Sequence, residues 1–263
     1  MSQSKRIWGW FFYDWACQPF YTLMLTFFFA PYFATVAADY FVASGMEIEA
    51  SKAKAQTMWS ICLSASGLFI GISAPILGAI ADTSGRRMPW IYVFSIMLIV
   101  GALGTWVGVP DGSNLTLMLY FFALGYIGTE FALIFTNAQL TTLGNQNEIG
   151  KISGSGFGFG YLGGVFALAI ALLFLVEQPN GTTFMLGIEP LFGFLNPENM
   201  EGTRFVGPLA AVWFIVFAIP YFKNMKDDPA LLNKINVGKG LKDLFQLLKS
   251  LKARKSLSAY LVS

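Results

Sequence analysis

The sequence predicts an all-α, polytopic membrane protein: six transmembrane helices, followed by a cytoplasmic amphipathic helix. Two observations carry that prediction. Of the 263 residues, 55% are hydrophobic and only 12% are charged, and the mean hydropathy is +0.58. A soluble domain carries about a quarter charged residues, so a chain with this thin a polar coat has lipid as the solvent for most of its length. The apolar residues also fall in six solid runs, each near the roughly 20 residues that a helix needs to cross the hydrocarbon core. A membrane barrel would show period-two alternation instead. In lipid, helices satisfy their backbone polar groups internally.

The elements follow in order. The first run lies within residues 10–38 and contains the stretch from Leu23 to Phe29. Lys5 and Arg6 before it resemble the start of a signal peptide, but the run is too long and holds Asp14. The second span is expected over 58–81, with Pro89 as the breaker behind it, and the third over 90–109, closed by Pro110-Asp111-Gly112. The fourth covers 115–136 and is followed by Gly144-Asn145; the fifth covers 157–176 and the sixth 205–222. Residues 1–222 thus form a six-span bundle.

Residues 223–256 read as a basic linker, in which Leu241, Leu244, Phe245, Leu248 and Leu251 recur at helical spacing opposite lysines. Such a helix suits the anionic cytoplasmic leaflet. Residues 257–263 begin another apolar run, expected to be the start of a truncated seventh span.

Orientation follows from Lys and Arg. Lys5, Arg6, Arg86, Arg87, Lys151 and the basic residues after Tyr221 fall on one side, while Lys52, Lys54 and Arg204 fall on the other. The richer side is expected to be cytoplasmic, which puts both termini inside, in a bacterial inner membrane. Basic residues gathered along a membrane face give no reason to expect nucleic acid as a partner.

The chain has no histidine. That removes His-activated nucleophiles and most zinc sites. Cys17 and Cys62 sit in apolar runs and read as small packing residues. No G-x-x-x-x-G-K-[ST] phosphate loop occurs. Neither a metal nor a cofactor is expected, and no nucleophile-and-base pair points to an enzyme.

The second run ends in Gly78-Ala79-Ile80-Ala81-Asp82-Thr83-Ser84-Gly85-Arg86-Arg87, a fit to G-x-x-x-D-x-x-G-R-R. Gly85 permits a tight turn, and Asp82 can accept from an arginine fork. In the second loop of six spans, the pattern resembles the signature loop of the major facilitator superfamily. That resemblance implies one half of a major facilitator fold, with Gly78, Asp82, Gly85, Arg86 and Arg87 as gating residues that contact a helix of the other half.

Two further segments resemble the vacuole-effluxer-like branch of that superfamily. They are Trp10-Phe11-Phe12-Tyr13-Asp14-Trp15-Ala16, like its W-x-x-Y-D-W-A opening, and Gly158-Phe159-Gly160-Tyr161-Leu162-Gly163-Gly164, like its G-Y-L-G-G helix. Yeast members of the branch are linked to amino-acid efflux. In one respect the chain departs from many proton-coupled members: its fourth span carries Glu130 and no arginine.

Asp14 and Glu130 are the acids inside the expected spans. Charge at that depth costs several kcal/mol and usually faces a cavity or a partner. The resemblance makes spans one and four symmetry mates that line a central cavity. Glu130 is therefore expected to bind a cation, a proton or a substrate amine, with Asp14, Gln18 and Asn137 as further cavity candidates and Tyr13 and Trp15 as lesser ones. For Asp14, an interfacial position or a structural pair with Arg86 or Arg87 stays open. Gly156, Gly160 and Gly164 repeat every fourth residue on the fifth span, as do Gly67 and Gly71 on the second, and such faces let helices approach closely. Packing within the bundle is the expectation for the second span; the resemblance would set the fifth against the other half.

The expected function is secondary transport of a small solute, amino acids being the class the resemblance suggests, by alternating access and with a proton or other ion coupled. The expected partners are lipid and a second bundle, either a missing C-terminal half, which is preferred, or a second copy. A non-transporting scaffold is the alternative, and it predicts that Asp14 and Glu130 tolerate substitution.

Overall fold

Six helices long and apolar enough to cross a membrane run through the computed structural model: Gln3–Ala43, Ile48–Ser84, Met88–Val107, Leu115–Thr142, Gln146–Phe174 and Glu201–Asn224. The structure describes residues 2–227, with positions 229, 237, 238, 240, 242, 245, 246 and 249. Among them there is no strand beyond one isolated bridge, Glu177 to Thr183. The chain is an integral, multi-pass, all-α membrane protein.

The helices overrun the apolar runs that announced them. The second has 37 residues and, at 1.5 Å per residue, is about 55 Å long against a hydrocarbon core of about 30 Å. Its polar first turns stand outside the lipid. The fifth begins at Gln146, well before the expected residue 157. Asn145 and Glu148 form a reciprocal capping box there, which satisfies amides that hydropathy does not register. Lys151 is therefore helical, not part of a loop. Pro89 does not trail the second span but sits in the first turn of the third, where its missing N–H costs nothing. The basic linker and the expected seventh span lie mostly or wholly outside the described residues.

The first span is built of three pieces: an α-helix Gln3–Pro19, a π-helix Phe20–Phe27 and an α-helix Phe29–Ala43. Pro19 has no N–H to offer the carbonyl one turn back, that of Trp15. Trp213 Nε1, from the sixth span, donates to that carbonyl at 3.2 Å. In the π segment the bonds reach one residue further, as in Phe28 N–H to Leu23 C=O at 3.0 Å. The wider turn re-aims the side chains that follow it.

Packing is uneven. The third and fourth spans press together so closely that a Cβ added at Gly101 or Gly128 would strike opposing backbone, and one at Gly125 would strike the Phe20 ring of the first span. Phe94 and Phe131 stack beside that contact with centroids 4.7 Å apart. The first span packs on the fifth and the sixth, with Tyr13 buried between Phe214 and Tyr221. The second packs chiefly on the outer half of the first and on the fourth, through Trp59 against Phe33 and Phe122, and Gly240 comes close to its Ala79 and Ile80. Ile61, Leu68, Phe69 and Ile72 along it stay exposed.

The two glycine faces divide accordingly. Gly156, Gly160 and Gly164 abut the first span, at Trp10 and Phe11, at Asp14, and at Thr22 and Gln18. This contact lies within the bundle, not against another half. Among the described residues, nothing beyond the helix itself lies within 4 Å of where a Cβ would stand at Gly67, Gly71 or Gly78. The expectation that the second-span face packs inside the bundle is therefore not met.

Candidate functional site

Glu130 sits half-buried on the fourth span, its Oε1 accepting a 3.0 Å hydrogen bond from the Tyr21 hydroxyl of the first. Tyr126, one turn earlier on the same helix as Glu130, lies close to this carboxylate. Tyr21 owes its aim to the π-helix. The same widened segment carries Thr22 and Thr26, and Thr26 Oγ1 donates back to the Tyr21 carbonyl at 3.0 Å. Among the described residues, no lysine or arginine pairs with this carboxylate.

Tyr21 opens onto a cavity of about 510 Å³ lined by Gln18, Tyr21, Thr22 and Thr26 of the first span and Tyr161 and Leu168 of the fifth. Of the four expected cavity residues, Gln18 lines it, and Glu130 reaches it through Tyr21. Asp14 lies one turn before Gln18, beside that side chain and against Gly160 of the fifth span. It does not pair with Arg87, whose guanidinium goes to Asp82 and to the Ala138 carbonyl. Asn137 stands exposed near the end of the fourth helix, two turns beyond Glu130, and is not brought to the site. Tyr13 is core, fully buried and bonded to Ser95 Oγ at 2.8 Å. Trp15 stacks against Trp213. Both cysteines are free, Cys17 buried and Cys62 half-buried.

The signature loop is a knot of four spans. Gly85 takes a left-handed conformation, φ 65°, and ends the second helix, as only a residue without Cβ does at no cost. Arg87 Nη2 then reaches back to Asp82 Oδ1 at 2.7 Å, while Nη1 donates to the Ala138 carbonyl at the end of the fourth helix at 3.2 Å. Asp227, beyond the sixth span, accepts from the backbone N–H of Arg87 at 3.0 Å and of Met88. It thereby caps the third helix, which has no cap of its own. Behind it, the Tyr221 hydroxyl donates to Gln139 Oε1, and Gln139 is buried. Arg86 is exposed, and among the described residues nothing beyond its own helix approaches Gly78 closely.

Several residues of these sites were not anticipated. Tyr126 was within reach of sequence reasoning, since it shares a helix face with Glu130 at i−4. Tyr21 was not, because the π-helix shifts its face. Asp227 lies 140 residues from its partner, and no spacing rule connects them.

Comparison with known proteins agrees with this architecture. Residues 141–263 match the family described as vacuole effluxer Atg22 like. Along 99% of its length the chain is 24% identical to an uncharacterized MFS-type transporter, YxiO, of Bacillus subtilis (strain 168). It spans 56% of the length of that relative. No solved structure matches. Together with the signature loop, the two matches support the assignment of this chain to the major facilitator superfamily, in its vacuole-effluxer-like branch.

Proposed function

We propose that this bundle is the N-terminal half of a secondary transporter that moves a small solute by alternating access, with both termini cytoplasmic in a bacterial inner membrane. Glu130 is the charged contact of the transported species, and the Asp82–Arg87 pair belongs to the cytoplasmic gate. The single observation that supports this most is the Tyr21–Glu130 hydrogen bond. It joins the first and fourth spans beside a largely apolar cavity that Gln18, Tyr21, Thr22 and Thr26 line on one side, at a depth where charge is costly to keep. An ammonium group or a proton arriving through the cavity can take the place of a phenol donor at Glu130. The bond between the two spans is then exchanged for a bond to cargo, which links occupancy to helix position.

Amino acids are the solute class proposed, each carrying the amine that Glu130 would receive. The test is counterflow of a radiolabelled amino-acid mixture in proteoliposomes across pH 5 to 8, comparing Glu130→Gln with the unaltered protein. The expected result is a loss of about tenfold or more, equivalent to one charge-assisted hydrogen bond of roughly 1.5–3 kcal/mol. Normal transport by Glu130→Gln with the same pH profile would remove Glu130 from the mechanism and leave a scaffold role.

A further inference from the structure

The loop between the fifth and sixth spans lies at the end of the bundle opposite the signature loop, and the proposed transport role gives it no part. We propose that it is a lipid anchor, with Phe184, Met185, Phe192 and Phe194 inserted into the headgroup boundary of the leaflet on that side.

Its height is fixed by hydrogen bonds to the span itself. Met185 N–H donates to the Leu172 carbonyl at 3.1 Å and Phe184 N–H to the Val176 carbonyl at 3.2 Å. The fifth helix ends at Phe174, so the loop lies against the last turn of a membrane-crossing helix rather than projecting into water. Phe192 continues that surface, its ring 5.8 Å from the ring of Phe174.

The loop sorts its side chains. Pro190 and Leu195 are buried, whereas Phe192 is 68% exposed and Phe194 83%. Phe184, Met185 and Leu186 are exposed as well. That sorting is enforced by an unfavourable backbone: Leu191 and Phe192 are consecutive left-handed residues, φ 47° and 59°, and neither is glycine. Hydrogen bonds from Phe192 N–H to Glu189 C=O and from Leu195 N–H to Pro190 C=O hold the turn. In water, a strained turn that points aromatic rings outward gains nothing. In the acyl boundary, burial of those rings offsets the strain. The exposed Glu189 marks the polar edge of the patch.

The full chain, with Cys17 and Cys62 replaced by alanine, would carry an environment-sensitive fluorophore at Phe194→Cys or Phe184→Cys. Glu198→Cys, in the exposed polar part of the same loop, is the reference. Phe194 has little of its surface against the protein, so its replacement spares folding, and an unchanged melting temperature in detergent checks this. In liposomes, nitroxide lipids are expected to quench positions 184 and 194 about threefold more than 198, with aqueous iodide showing the opposite order. Iodide quenching at 194 equal to that at 198 would place the loop in water and overturn the proposal. Protection of 184 and 194 from both quenchers would overturn it too, by showing that protein covers them.

Discussion

The two ends of the bundle solve the same problem, joining helices that come from distant parts of the sequence, with opposite materials. At the end that carries the signature loop, Arg87 holds Asp82 and the Ala138 carbonyl, and Asp82 is 62% exposed on its side chain. At the far end, Arg204 is 7% exposed. It donates to the Trp106 carbonyl at 2.6 Å and to that of Asn199, and its guanidinium lies 4.5 Å from the Trp106 ring centroid. Glu177 beside it accepts from the Gly202 and Thr203 amides and from the Thr203 hydroxyl. A buried cation with both its Nη groups on carbonyls is part of the fold, whereas an ion pair with one partner in water is weak enough to be exchanged. On the proposed reading of the signature loop, one end stays and the other switches.

The largest expected effect tests the permanent end. Arg204→Leu strips two carbonyls of their charged donor and removes the contact with Trp106, and should cost about 3 kcal/mol. The sign is destabilising, and a fall in melting temperature in detergent would report it. A variant that melts with the unaltered protein would mean that Arg204 is no more structural than Arg87, and the comparison between the ends would collapse.

Asp227 sharpens the comparison, because it is a permanent element placed at the switching end. Its carboxylate serves the two amides that open the third helix, and Asp227→Ala should cost about 1 kcal/mol, as for other lost helix caps. The local readout is faster hydrogen exchange at Arg87 and Met88, with the far end unaffected. Unchanged exchange at those two amides would show that the cap carries no load.

The sequence displayed the spans far better than the knots between them. Six apolar runs are visible because lipid demands continuous hydrophobicity, and the capping box at Asn145 and Glu148 explains why the fifth helix begins so much earlier than its apolar run. The glycine turn at Gly85 was equally legible, since a helix end followed by Arg-Arg needs that residue. The cavity was legible only in part. Glu130 stands out as an acid in lipid, and Gln18 follows Asp14 by one turn, but Tyr21 is aimed by a π-helix that no hydrophobic period announces. Asn137 shows the converse error. It shares a helix with Glu130 but stands exposed two turns further on, near the helix end. Asp227, Glu177 and Arg204 act through tertiary contacts alone. Each looks in sequence like an ordinary loop charge, and Arg204 was counted only as one of the few basic residues on the poorer side.

The smallest effect on stability should come with a large effect on function, at the Asp82–Arg87 pair. Asp82→Asn removes the charge but keeps an oxygen for the Arg87 fork, and the Asp82 side of the pair is solvated, so stability should change by less than about 0.5 kcal/mol. Arg87 would still hold the Ala138 carbonyl, and Asp227 would still cap the third helix, so the knot would survive with its exchangeable partner weakened. In counterflow, transport should nonetheless fall severalfold, because the state in which the signature loop is closed would lose its charge contact. The two measurements separate gate from brace. If Asp82→Asn melts several degrees lower and loses transport in proportion, the pair braces the fold as Arg204 does at the other end. If melting is unchanged and transport falls, the weakness of the contact is what lets it open.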